Sequence, residues 1–203
     1  MKQLNFIRNV DIIRSISYNQ EEILQWIIEL HCPNGFELDP TYSIGNFYKG
    51  RIPEPKYKFD INPMAPGVIQ ADVIALPFKN NSINSIIFDP PFIVGMPKDG
   101  KPGIMRTRFS HYRKIPELWE MYWKAIKEFC RILKENGILV FKCQDTIDSG
   151  RQYLSHIEIV NMAKKADFYT KDLFILCVSN RIIRQTRQFH ARKFHSYFLV
   201  FEK

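Results

Sequence analysis

The sequence predicts an α/β fold in which a mostly parallel sheet carries helices on both faces. Three observations predict it. Short apolar runs alternate with stripes at helical spacing, the pattern of repeated strand–helix units. Four early apolar runs in succession stop at an aspartate, Asp39, Asp60, Asp72 and Asp89. A long helical stripe then separates these runs from the later ones, with Leu118, Tyr122, Ile126, Phe129 and Leu133 on one face.

Each element has a local reason. Asn19 is placed to cap a helix beginning at Gln20, with Ile23, Trp26, Ile27 and Leu30 on one face. The runs 35–38, 56–59, 68–71 and 83–88 read as strands that end at or just before the four aspartates. Pro116 fits the first turn of the long helix, and Gly137 is expected to stop it. Residues 138–141 form a strand, residues 157–165 a helix after Ser155, and 173–178 and 194–201 two more strands. The chain from Asp39 reaches the next strand quickly, so the helix that usually fills such a crossover is expected to be short or lost. Trp119 and Trp123 lie on the long helix and are expected to pack rather than to serve as base platforms.

Length and composition exclude several classes. The 203 residues, 45% hydrophobic and 25% charged, suit one globular domain spanning 1–203. No apolar run approaches the roughly 20 residues that span a bilayer, and the first residues lack an apolar signal core. The cysteines Cys32, Cys130, Cys143 and Cys177 are far apart, with no Cys-x-x-Cys pair. They read as reduced thiols in a cytoplasmic protein, with no metal site and no disulfide framework.

Charge points to an anionic partner. Residues 93–115 carry six cations, among them Arg106, Arg108 and Arg113, against one acid. Residues 181–195 carry five, among them Arg184, Arg187 and Arg192, and no acid. Each window is thus +5, and together they exceed the chain's net +8. Such clusters, interleaved with Phe109, Tyr112 and Phe189, suit a surface that tracks phosphates, although solvated loops could carry the same charges. His190 and His195 lie in the second window and could contact phosphate or base, or be structural.

The four strand-end acids supply the binding chemistry. In a parallel sheet the carboxyl ends of the strands share one edge, where ligands of such sheets bind. Carboxylates there can accept from ribose hydroxyls, an adenine amine and an ammonium group. The segment Asp39-Pro40-Thr41-Tyr42-Ser43-Ile44-Gly45-Asn46 resembles the S-adenosylmethionine loop of class I methyltransferases, Asp-Pro-Phe-x-Gly-x-Gly. Gly45 matches the later glycine, and Ser43 stands where the earlier one is expected. The resemblance implies a Rossmann-like fold with seven strands, the last antiparallel. It also implies a cofactor, S-adenosyl-L-methionine, bound by Asp39, Tyr42, Gly45, Asp60 at the ribose and Asp72 at the adenine amine.

Asp89-Pro90-Pro91-Phe92 directly follows an apolar strand. It resembles the [Asp/Asn/Ser]-Pro-Pro-aromatic motif of amino-methyltransferases acting on adenine N6, cytosine N4 or guanine N2. An exocyclic aromatic amine is a poor nucleophile, because its lone pair is delocalised into the ring. Acceptors aimed at both of its N–H bonds favour a pyramidal nitrogen with a localised pair. The resemblance assigns those acceptors to the Asp89 carboxylate and the Pro90 carbonyl. Pro90 and Pro91 stiffen the backbone that aims them, and Phe92 stacks on the base. No Pro-Cys pair of the cytosine-C5 type is present in the sequence.

Two further segments add to the likeness. The helix start Asn19-Gln20-Glu21-Glu22-Ile23 lies where amino-methyltransferases place a segment near the methionine. Residues 189–201 resemble the tail of small phage and prophage DNA methylases. The expectation is therefore a DNA adenine-N6 or cytosine-N4 methyltransferase without a separate target-recognition domain. The alternatives are an RNA enzyme of the guanine-N2 type, or a non-catalytic nucleic-acid-binding protein that keeps the fold. DNA is favoured over RNA by the tail and by the lack of an appended RNA-binding module.

Overall fold

Alternation along the central strands decides how the sheet is covered. Ile86 and Phe88, Leu139 and Phe141, and Leu199 and Phe201 point into one core. Their neighbours Ile87, Ile138 and Val140, and Phe198 and Val200, point into the other. Buried on both faces, these strands need helices on both sides. The computed structural model describes residues 12–92, 94, 112, 114–179 and 189–203.

In chain order the described elements are β1 (Ile16–Ser17), α1 (Gln20–His31), β2 (Leu38–Asp39), a 3-10 turn (Asn46–Tyr48), β3 (Tyr57–Asp60), β4 (Ile69–Gln70) and β5 (Ile83–Phe88). They continue with α2 (Ile115–Ile132), β6 (Leu133–Cys143), β7 (Thr146–Asp148), β8 (Arg151–Tyr153), α3 (Ser155–Lys165), β9 (Tyr169–Cys177) and β10 (His195–Glu202). The sheet order is β1-β9-β10-β6-β5-β2-β3-β4. All neighbours are parallel except those of β10, which runs antiparallel between β6 and β9. Among the described residues seven strands follow the expected order, and an eighth extends the sheet at one edge. The addition is β1, a two-residue edge strand on β9.

α1 begins where expected, with the Asn19 side chain accepting from Glu21 N at 2.9 Å. It buries Ile23, Leu24 and Ile27 on one sheet face, while Leu30 is exposed. α2 covers the other face with Leu118, Tyr122, Ile126, Phe129 and Ile132, joined by Ile159 and Ala163 of α3. Only the 3-10 turn stands between β2 and β3 among regular elements, so the expected loss of a crossover helix is what the chain shows.

α2 differs from expectation at its end. It stops at Ile132 rather than at Gly137, because Leu133 is already extended and pairs with Ile83. Arg131 secures this corner. Its guanidinium holds the nearly buried Glu128 at 2.6 Å and donates to the carbonyls of Leu76 and Phe78, while Glu128 accepts from Leu76 N. The end of α2 is thereby tied to the segment following Asp72.

Sheet order also locates the crevice. From β2 the chain moves outward to β3 and β4, then returns to place β5 on the other side of β2. Strand order therefore reverses between β2 and β5, and ligands of such sheets enter at that reversal, beyond the carboxyl ends of the strands.

Candidate active site

Residues from the ends of β2, β3, β4 and β5 meet at this reversal, around a cavity of about 320 Å³. Its wall includes Pro40, Thr41 and Ser43 after β2, Asp60 and Ile61 at β3, and Asp72, Val73 and Ile74 after β4. Phe88, Asp89 and Pro91 form the β5 side, and α2 closes it with Glu117, Glu120, Met121 and Lys124. Tyr112 also lines it and pairs with Val94 in an isolated bridge.

The strand-end acids take different positions. Asp60 is buried at the wall and accepts from Ser43 N at 2.9 Å and Asn62 N at 2.8 Å, and burial raises its pKa. Asp72 is exposed and accepts from Ile74 N at 3.2 Å. Asp39 stands behind the wall. It accepts from Thr41 N at 2.8 Å, Thr41 Oγ1 at 3.2 Å and Tyr48 O–H at 2.8 Å. Burial pushes the Asp39 carboxyl up to about 7, against the lowering effect of those hydrogen bonds.

Tyr42 and Gly45 are likewise outside the cavity lining. Tyr42 stacks on Tyr48 with ring centroids 5.3 Å apart and donates to Glu54 at 2.8 Å. Gly45 has φ of 69°, and a Cβ there would lie 2.5 Å from the Tyr42 hydroxyl. The left-handed turn and this close approach both require glycine. The loop thus presents Pro40, Thr41 and Ser43, while Asp39, Tyr42 and Gly45 hold its shape.

Asp89 is fixed from two sides. Its N–H donates to Thr41 Oγ1 at 2.9 Å, and Thr41 Oγ1 in turn donates to Asp39. Its Oδ2 accepts from Lys142 Nζ at 3.2 Å. Pro90 is buried, and Pro91 and Phe92 are half-buried. The carbonyl of Pro91 accepts from Tyr122 O–H at 2.8 Å, so the motif is also tied to α2.

Sequence reasoning missed Lys142, Thr41 and Tyr122. Lys142 had a visible signal, a lone cation closing the apolar run 138–141. The other two had none, since Thr41 reaches Asp89 and Tyr122 reaches Pro91 across long stretches of sequence. Arg106, Arg108, Arg113, Arg184 and Arg187 lie outside the described residues. Arg192 is described and exposed, just before β10. The stem of its window is defined: His195 pairs with Cys177, and Tyr197 with Cys143, at the β6 end that neighbours β5. β9 thus ends, and β10 begins, on the same sheet edge as Asp89.

The two uncertain histidines have structural partners. His190 Nε2 lies 2.9 Å from the Gly150 carbonyl, and His195 Nε2 lies 2.9 Å from the Tyr197 hydroxyl. Trp119 packs edge-on to Tyr153, as expected of a packing residue. Asp145, buried beside them, bonds His156 Nδ1 at 2.7 Å and the His156 N–H at 3.4 Å, which places a carboxylate at the start of α3. No group of side chains that could hold a metal ion is found among the described residues, and no described helix is long and apolar enough to cross a membrane.

No family model matches the chain, and no curated protein does. Solved structures do. A cytosine-N4-specific PvuII DNA methyltransferase is 14% identical with a TM-score of 0.48, over 65% of this chain and 47% of that one. TrmN from Thermus thermophilus is 13% identical with a TM-score of 0.46, over 90% of this chain and 48% of its own. A SAM-dependent methyltransferase from Thermotoga maritima is 16% identical with a TM-score of 0.49, over 91% and 87%. The first of the similar structures is likewise spanned only in part, over 47% of its length. At such identities and scores the fold rests on the strand order itself, a mostly parallel Rossmann-like sheet with its last strand antiparallel.

Proposed function

We propose that this chain is an S-adenosyl-L-methionine-dependent methyltransferase acting on an exocyclic amino group of a nucleic-acid base, adenine N6 or cytosine N4 in DNA. One observation carries the reading. Asp89-Pro90-Pro91-Phe92 leaves β5 at the reversal of strand order, and Asp89 shares one cavity with Asp60 and Asp72.

The donor set fits the cofactor. Asp60 offers carboxylate lone pairs to ribose hydroxyls, and Asp72 offers an acceptor to an adenine amine. Ile61, Val73 and Ile74 supply apolar wall for an adenine ring between them. When bound, the cofactor supplies an electrophilic methyl carbon. Asp89 accepts one N–H of the target amine, the Pro90 carbonyl accepts the other, and Phe92 stacks on the base turned out of its strand. The hydrogen bonds from the Asp89 N–H to Thr41 and from Tyr122 to the Pro91 carbonyl keep those acceptors aimed before substrate arrives, which lowers the reorganisation needed at reaction. The basic windows 93–115 and 181–195, with Arg106, Arg108, Arg113, Arg184, Arg187 and Arg192, track the phosphate backbone.

Calorimetry with S-adenosyl-L-methionine and transfer of tritiated methyl to separate DNA and RNA pools test the reading. Cofactor binding with label in DNA supports it. Label confined to RNA moves the substrate to the guanine-N2 type. Cofactor binding without transfer to either pool replaces it with a non-catalytic role.

A further inference from the structure

We infer that Lys142 is a positioning residue for amine methylation, fixing one oxygen of Asp89 so that the other is presented to the target amine. This rests on the function proposed above. Lys142 lies on β6, opposite Phe198 of β10 and beside the end of β5. Only 14% of its side chain is exposed. Its Nζ donates to Asp89 Oδ2 at 3.2 Å and to Gln20 Oε1 at 3.1 Å, and lies 4.9 Å from the Phe47 ring centre and 5.6 Å from that of Phe198. The ammonium is therefore held by α1, β10 and the loop after β2.

Packing alone does not require a cation there. A methionine would fill the space between two phenylalanine rings without the desolvation cost that a buried ammonium carries. What lysine adds is a directed, charge-assisted hydrogen bond to a carboxylate. An aspartate side chain has two rotatable bonds. The bond from the backbone N–H to Thr41 fixes the main chain that carries the side chain, and the bond from Lys142 to Oδ2 restricts both rotations. Among the described residues Oδ1 has no hydrogen-bond partner, which leaves it for the amine. Gln20 explains why the helix start matters to the site. It does not line the cavity, but it anchors the lysine that anchors the catalytic carboxylate.

A double-mutant cycle tests this, using the full chain, saturating cofactor and unmodified DNA. Lys142→Met should lower kcat about tenfold, the scale of a modest misplacement of a reacting group, with the DNA KM and the cofactor Kd within about twofold of the parent. In Asp89→Asn the amide has a single oxygen, for which Lys142 and the amine compete, and there is no carboxylate for Lys142 to orient. Adding Lys142→Met to that variant should therefore not lower kcat by more than about twofold, because the favourable coupling disappears with its partner. Equal losses in both backgrounds, or parental kcat in Lys142→Met, would overturn the inference while leaving the methyltransferase reading intact. Absence of transfer by the parent itself would overturn both. Should Lys142→Met not fold, Lys142→Gln carries the same comparison, and failure of both to fold assigns Lys142 to the core and overturns the positioning role.

Discussion

Thr41 is the joint between the loop after β2 and the Asp89-Pro90-Pro91-Phe92 motif, and its hydroxyl can be removed with little change of side-chain shape. Thr41→Val keeps the β-branched side chain and its volume. It deletes the donor to Asp39 Oδ1 and the acceptor of the Asp89 N–H, which lie at 3.2 and 2.9 Å. A lost hydrogen bond contributes about 1 kcal/mol, and a backbone N–H left without a partner costs about 1–3 kcal/mol. Thr41 is half-buried, so water can reach part of the gap and the lower end applies. The expected loss is about 2 kcal/mol of unfolding free energy, or about 4–8 °C in Tm for a chain of this size. Urea unfolding should show a lower midpoint with an unchanged m-value, since the native surface is the same. Steady-state methylation should show a fall in kcat, because the Asp89 backbone is no longer held. A variant within about 0.5 kcal/mol of the parent, with parental kcat, would refute the linkage of Asp39, Thr41 and Asp89.

Other outcomes follow from the same contacts. Asp39, pushed up to about 7 by burial, contributes stability below about pH 4 that is lost as pH rises through about 7. The stability of the parent relative to Asp39→Asn should therefore fall by up to about 4 kcal/mol between those limits in urea titrations, and a flat difference would contradict the assignment. Asp72→Ala should weaken cofactor binding by roughly 1–3 kcal/mol by calorimetry, at the low end because Asp72 is exposed, and unchanged affinity would remove it from the site. Phe92→Ala should raise the DNA KM or lower kcat by the equivalent of about 1–3 kcal/mol of lost stacking, with cofactor Kd unaffected. Changing Arg106, Arg108, Arg184 and Arg187 to Ala should weaken DNA binding and flatten its salt dependence by about 0.9 per lost phosphate contact, whereas an unchanged slope would leave these windows as solvated loops.

The elements legible in the sequence are those set by local signals. Asn19 caps α1 where its side chain can accept a backbone N–H, and 83–88 reads as a strand because six residues of apolar pattern run into Asp-Pro-Pro. The end of α2 was not legible. Gly137 looks like a helix stop, but pairing of Leu133 with Ile83 and the clasp of Arg131 on Glu128 end the helix earlier, and Asn136 takes the left-handed conformation inside β6. The β7–β8 hairpin escaped notice because its two-residue turn is Ser149-Gly150, both with positive φ, rather than the more recognisable Asn-Gly. At the site, residue types placed Asp60, Asp72 and Asp89 on one edge, since that needs only strand direction. They could not distinguish Asp39, which turns behind the wall toward Tyr48, nor show that Lys142 reaches across from the neighbouring strand.

The proposed function rests on activation of an exocyclic base amine by Asp89. It is tested most directly by incubating unmodified DNA with cofactor and either the parent or Asp89→Ala, digesting to nucleosides and identifying the products by mass spectrometry. The parent should yield N6-methyladenine or N4-methylcytosine and Asp89→Ala neither, with comparable cofactor affinity in the two proteins. Methylation of a ring carbon, or near-parental yield from Asp89→Ala, would contradict it.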